Sequence, residues 1–154
     1  MAPMVAMPEE AASFISVARR PGIVRAGVMI EVPAAAVRAD DIFAVIDFAS
    51  IGTNDLAQYA FAADRQVGAL AAYQDPWQPA LLTLVSTAAT AGDAAGKPVG
   101  VCGEAAADPL LALVLVGLGI TSLSMAPSAI PVVRAALAGV THEACRRLAP
   151  RPCR

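Results

Sequence analysis

Short runs rich in β-branched residues alternate with helical stretches from one end of this chain to the other, and that alternation limits the fold more than any other feature. The runs are Pro3–Ala6, Val28–Val32, Val45–Ser50, Val99–Cys102 and Ser122–Met125. Strands separated by helices pair in parallel, because the chain must cross over before each new strand. VMIEV and PVGVC are apolar at both alternating sets of positions apart from their ends, as in a sheet covered by helices. The predicted class is α/β, with parallel strands and helices in one domain. The 154 residues suffice for a core of ordinary size.

The helices announce themselves by their ends. In PEEAASFISVARR, Pro8 suits a first helical position, and Glu9 and Glu10 fall in the first turn. Arg19 and Arg20 close the last turn before Gly22, so the charges complement the helix dipole. Ala11, Ile15 and Ala18 form its predicted buried stripe. A second helix is predicted over about Ala34–Ala44. The longest runs from near Pro79 to about Ala95, with Leu81, Leu82, Val85, Ala88 and Ala89 at helical spacing. Asp108-Pro109 reads as an N-cap followed by proline at the first helical position. Ala129–Ala138 and His142–Leu148 complete the set.

Composition excludes several functions. A net charge of -2, from 11 basic and 13 acidic residues, leaves no electrostatic footprint for nucleic acid. No charge occurs from Pro109 to Val133, a length able to span a bilayer, but Gly117, Gly119, Pro127 and Pro131 interrupt it. It divides into a helix (Leu110–Val116), a turn at Gly117–Gly119, a strand and a new helix, and no membrane span is predicted. The start MAPMVAMPEE lacks the basic region of a signal peptide. Cys102, Cys145 and Cys153 are odd in number and poorly spaced for disulfides or zinc, so reduced thiols and a cytoplasmic location are expected.

The polar residues fall at the C-terminal ends of the strands. Glu31 ends VMIEV, Asn54 and Asp55 follow FASIGT, Cys102 and Glu104 end PVGVCGE, and Ser124 sits in SLSM. In a parallel βα architecture those ends share one rim, where active sites are built. Any one of them alone reads as a cap on the next helix. All four together read as a site. Glu31 and Asp55, on adjacent strands, suit a hard cation such as Mg²⁺ completed by substrate oxygens and water. Arg65 suits a carboxylate or phosphate. Gly52 is expected to permit a tight turn that faces the amides near Asn54 toward an anion. Cys102 has glycine and apolar neighbours and no adjacent lysine or arginine, so it reads as a small core residue or as a proton donor rather than a thiolate nucleophile. His142, the only histidine, begins the last helix and reads as a solvent-facing residue.

GVMIEVPAAAV, DFASIGTNDLAQYAFAADR, GKPVGVCGEAAADP and GLGITSLSMAPSAI, in this order, closely resemble a known family. It is the C-terminal phosphoenolpyruvate-binding domain of enzyme I of the bacterial phosphotransferase system, the phosphoenolpyruvate-protein phosphotransferase. Pyruvate phosphate dikinase and phosphoenolpyruvate synthase share the Glu, Asn-Asp and Cys-Gly-Glu elements, and a fragment of either is the alternative enzyme. DLAQYAFAADR looks like enzyme I. The resemblance implies a (β/α)₈ barrel of the TIM type, of which residues 1–154 would be a partial domain, about strands four to eight. It implies Mg²⁺ on Glu31 and Asp55, phosphoenolpyruvate contacts at Asn54 and Arg65, and a proton donor to the enolate carbon at Cys102. It further implies phosphoryl transfer to a histidine on a separate domain, with HPr and a second subunit as partners. That histidine domain, the HPr-docking domain and the first three barrel strands have no counterpart in the sequence, so the chain is expected to be incompetent alone. Ala57 and Ala60 stand where the family often has threonine, and Ala105 and Ala107 where it has Met and Gly. A different class of function is a non-catalytic association module, since two open sheet edges favour self-association or a complementing chain. A truncated remnant without a stable fold is the remaining alternative.

Overall fold

The computed structural model describes residues 1–149, so Cys153 lies outside the described residues. Four strands, β1 (Val28–Ile30), β2 (Ala49–Gly52), β3 (Val99–Cys102) and β4 (Ser122–Ser124), form one parallel sheet in the order β1-β2-β3-β4. The helices are α1 (Pro8–Arg19), α2 (Pro33–Val37), α3 (Ala39–Val45), α4 (Thr53–Ala60), α5 (Pro79–Ala94), α6 (Glu104–Ala107), α7 (Pro109–Gly117), α8 (Ile130–Ala138) and α9 (His142–Leu148). Helices separate every pair of consecutive strands, as the alternation in the sequence requires.

Register gives the sheet two unlike faces. Ile30, Ile51, Val101 and Leu123 lie level across the strands, as do Val28, Ala49 and Val99. Of these, all but the half-buried Leu123 are buried. This face meets the helices: a Cβ on Gly92 of α5 would run into the Val99 side chain, and Phe43 of α3 lies beside it. The alternate row, Met29, Ser50, Gly100 and Ser122, is small or polar at every strand except β1. Ser122 is exposed, and Met29 and Ser50 are half-buried. Burial on one face supplies the apolar driving force, and the other face is left free to carry polar groups.

Three predicted boundaries are corrected. Pro3–Ala6 is not a strand: Ala2 alone makes a parallel bridge to Val28, and Met4 then turns away at φ 56°. The Met4 N–H is spent on the Glu31 carboxylate, at 2.7 Å, instead of on a ladder. The five-stranded reading therefore becomes four strands and a bridge. The helix predicted over Ala34–Ala44 breaks at Arg38, where φ -102° and ψ 27° end α2 before α3 begins. The strand predicted at Val45–Ser50 starts only at Ala49, because α3 runs on through Val45. A short β-branched run cannot by itself distinguish a helix end from a strand start.

Elsewhere the local signals hold. Glu10 Oε2 accepts the Ala6 and Met7 N–H groups at the head of α1, which holds its carboxyl below the ordinary range. Asp108 caps α7 by accepting from the Leu110 and Leu111 N–H groups, and Trp77 Nε1–H donates to its other oxygen at 3.0 Å. The charge-free stretch divides into α7, a turn with Gly119 at φ 97°, β4 and α8. Among the described residues no helix is long and apolar enough to cross a membrane.

Asp47 ties the end of α1 to the approach of β2. It accepts the Ala26 N–H at 2.8 Å and pairs with Arg19 at 3.0 Å. The Ala26 bond first, and then the Arg19 guanidinium, hold its carboxyl below the ordinary value despite partial burial. A carboxyl depressed in the folded state stabilises fully above its ordinary value and loses that contribution as pH falls through the lower folded value. Asp47→Asn is therefore expected to unfold at lower urea concentration than the parent at pH 7. The gap should narrow as pH is taken below about 4. A constant gap from pH 7 to pH 3 would show that the charge does not contribute.

Candidate functional site

The C-terminal ends of the four strands lie along one edge of the sheet: Glu31 follows β1, Asn54 and Asp55 open α4 directly after β2, Cys102 ends β3, and Arg65 lies on the turn after α4. Gly52, Cys102 and Ser124 are level across β2, β3 and β4. Glu31 follows Ile30, which pairs with Ile51, so Glu31 stands beside Gly52 on the polar face.

Glu31 is the most enclosed charge of the rim, only 4% exposed. Oε1 accepts the Met4 N–H at 2.7 Å, and no cation lies within ion-pair distance of it among the described residues. Oε2 lies over Gly52, where an added Cβ would come within 2.5 Å of it. This corrects the expected role of Gly52. Its φ is -90°, which any residue adopts, so the glycine provides room for Glu31 and not a special turn.

Strand β2 leads directly into α4, with Gly52 preceding its first residue. Thr53, Asn54 and Asp55 thus form the first helical turn at the rim. Thr53 Oγ1–H donates to the Cys102 carbonyl at 3.1 Å, and the Cys102 thiol donates to the Ile51 carbonyl at 3.5 Å. These two bonds lace the end of β2 to the end of β3. Asn54 Oδ1 accepts the Glu104 N–H at 3.4 Å. Gly103 makes this approach possible: its φ is +96°, and an added Cβ would lie 3.0 Å from both Asn54 Oδ1 and Thr53 Oγ1. Asn54, Gly103, Glu104 and Ser124 line an open depression of about 360 Å³.

Asp55 and Arg65 meet as an ion pair, Nη1 to Oδ1 at 3.7 Å, with side chains 47% and 31% exposed for Arg65 and Asp55 respectively. The turn that carries Arg65 is held from several sides. Ala62 takes φ 49°, a conformation that is uncommon for a residue other than glycine. Gln58 Oε1 accepts the Arg65 N–H at 3.3 Å, and the Gln74 amide donates to the Ala63 carbonyl at 2.8 Å. Phe61 stacks obliquely on Tyr73.

The structure thus gathers Asn54 with Glu104, Thr53 with Cys102, Asp55 with Arg65, and Glu31 with Gly52. Thr53, Gly103, Gln58 and the Met4 N–H were not singled out from sequence as site supports. Gly103 alone carried a signal, as the glycine after Cys102 in GVCGE. His142 is exposed at the start of α9, as its sequence position suggested. Among the described residues no three His, Cys, Asp or Glu side chains are grouped to hold a metal ion by themselves.

Comparison with known proteins adds a second line of observation. The family model described as "PEP-utilising enzyme, PEP-binding domain" matches residues 1–142. A phosphoenolpyruvate-protein phosphotransferase of Streptomyces coelicolor is 57% identical over 150 residues, which cover 97% of this chain and 27% of that protein. A multiphosphoryl transfer protein of Xanthomonas campestris pv. campestris is 48% identical over 123 residues, covering 80% of this chain and 15% of that protein. The phosphoenolpyruvate-protein phosphotransferase of Geobacillus stearothermophilus is 43% identical over 125 residues, 81% of this chain and 22% of its own length. The chain therefore spans about a quarter or less of the length of these curated relatives.

Proposed function

We infer the function from one premise: this chain belongs to the PEP-utilising enzyme family, whose PEP-binding domain it matches over residues 1–142. We propose that it is the part of a phosphoenolpyruvate-protein phosphotransferase that binds phosphoenolpyruvate with Mg²⁺, and that its sheet is a segment of a (β/α)₈ barrel. The sequential parallel order of β1 to β4 supports the barrel. The observation that carries the site is Glu31, a carboxylate 4% exposed with no cationic partner among the described residues, standing at the same sheet edge as Asp55. A buried anion without a counter-charge is costly. A cation bound there would remove that cost.

The donors fit Mg²⁺. Two carboxylates are hard oxygen ligands, and Mg²⁺ characteristically takes one or two of these and leaves the remaining positions to phosphate oxygens and water. When bound, the ion would offset charge on the phosphoryl and enol oxygens. The chain's own residues do the rest. The Arg65 guanidinium neutralises the phosphate or carboxylate of the substrate. Asn54 Oδ1 accepts from Glu104, and its amide N–H groups, which make no hydrogen bond among the described residues, can donate to an oxygen of the same ligand. The Cys102 thiol, seated between β2 and β3, gives its proton to the methylene carbon as the phosphoryl group leaves the enol oxygen. The products are pyruvate and a phosphohistidine. The acceptor histidine in this reading belongs to another segment or protein and relays the group to HPr, since His142, the one histidine of the sequence, begins α9 and not a strand end. A cytoplasmic location belongs to this reading. So does pairing with a second subunit or a complementing segment, favoured by the outer edge of β4, unpaired among the described residues, beside half-buried Leu123 and exposed Ile130.

Isothermal titration of phosphoenolpyruvate with and without Mg²⁺ tests the reading. Binding is expected only with Mg²⁺, and Asp55→Ala should weaken it by about tenfold or more. Binding indifferent to both the ion and the substitution would sink the assignment.

A further inference from the structure

We propose that Arg65 acts twice at the rim: it is the counter-ion of Asp55 until a divalent cation takes over that carboxylate, and the guanidinium so released then binds the anionic substrate. The inference rests on the reading of Asp55 as a metal ligand and adds an order of events to it.

The two carboxylates are prepared differently. Glu31 is enclosed, fixed by the Met4 N–H and without a cation among the described residues. Asp55 is partly open, and its one charged partner among the described residues is Arg65 at 3.7 Å. That separation exceeds the 2.7–2.9 Å typical of a charge-assisted hydrogen bond. The pair is close enough to attract and loose enough to exchange. Two cations compete for one carboxylate, so an ion entering at Asp55 repels the guanidinium and frees it.

What moves is the side chain. The backbone of the turn is pinned by the Gln58 and Gln74 bonds around Ala63 and Arg65. The released guanidinium therefore stays within a side chain's reach of the rim, with its charge newly unpaired. Metal and anion then favour each other's binding reciprocally, because each removes the partner that the other must displace. A cation held first at Glu31 and Asp55 prepares the anion site in the same step.

Titration with Mn²⁺ alone, followed by the electron paramagnetic resonance of the free ion, tests this without any turnover. Arg65→Gln is expected to bind Mn²⁺ about two- to fivefold more tightly than the parent, the range for a partly exposed ion pair. Arg65→Lys, which retains the charge, should stay within about twofold of the parent. In an Asp55→Asn background the gain from Arg65→Gln should vanish. If Mn²⁺ binds the parent through Asp55 and Arg65→Gln leaves its affinity unchanged or weaker, the dual role is overturned while the metal site stands. If neither the parent nor Arg65→Gln takes up Mn²⁺, both readings fall.

Discussion

Gly52→Ala is expected to weaken the proposed divalent-cation site and to cost about 1–3 kcal/mol of stability at the same time. The methyl group would lie 2.5 Å from Glu31 Oε2, 3.0 Å from Glu31 Cβ and 3.1 Å from Met29 Cε. The carboxylate tip could rotate away from such a contact, but the Cβ is fixed to the backbone of the strand end. Glu31 is also held by the Met4 N–H and is buried, so its escape breaks a hydrogen bond and moves a charge. Mn²⁺ binding should weaken by about tenfold or more, the scale of a lost bond to a charged group. Gly68→Ala is the matched control, since an added Cβ there meets nothing within 4 Å. Retention of parental Mn²⁺ affinity in Gly52→Ala would contradict the proposed role of Glu31 as a ligand of the cation.

A second substitution is expected to act on the fold alone. Gly117 ends α7 against α9, and an added Cβ would strike the backbone carbonyl of Cys145 and lie 3.1 Å from Ala149 Cβ. Backbone against backbone offers no rotamer to relieve the clash, so α9 must shift off α7. Gly117→Ala should cost about 3 kcal/mol, the upper range for overpacking, and lower Tm by roughly 6–12 °C for a chain of this size. Gly139→Ala, whose new contacts at 3.7 and 3.8 Å are ordinary, should shift Tm far less. Equal shifts for the two variants would show that α7 and α9 do not approach through Gly117. Because α9 contributes no rim residue, Mn²⁺ affinity should survive in Gly117→Ala wherever the protein remains folded.

Three glycines show how unevenly the sequence exposes its physics. Gly103 was visible only as a neighbour of Cys102, and its φ of +96° shows what it is for. Gly52 was legible as a special residue, but for the wrong cause, because nothing in SIGTND reveals that a glutamate twenty-one residues earlier leans across it. Gly117 read only as a turn signal. Its closeness to Cys145 joins residues far apart in the chain, and no local pattern encodes that. The misread strand at Pro3–Ala6 has the same origin. Its apolar composition is that of a strand, and a single long-range bond from Met4 to Glu31 decides against it. Ion pairing is equally non-local. Arg65 was recognisable as an anion ligand, but its contact with Asp55 depends on how the turn at Ala62 folds back.

By itself the sequence determined the parallel α/β alternation, the capped helices and the collection of polar residues at strand ends. Each of these follows from neighbours within one or two turns, where propensity, capping and periodicity operate. Long-range packing places Glu31 over Gly52 with no cation within ion-pair distance among the described residues, pairs Asp55 with Arg65 and leaves one face of the sheet polar. Those outcomes depend on strand register and on packing between residues distant in sequence, and both are set by the folded whole.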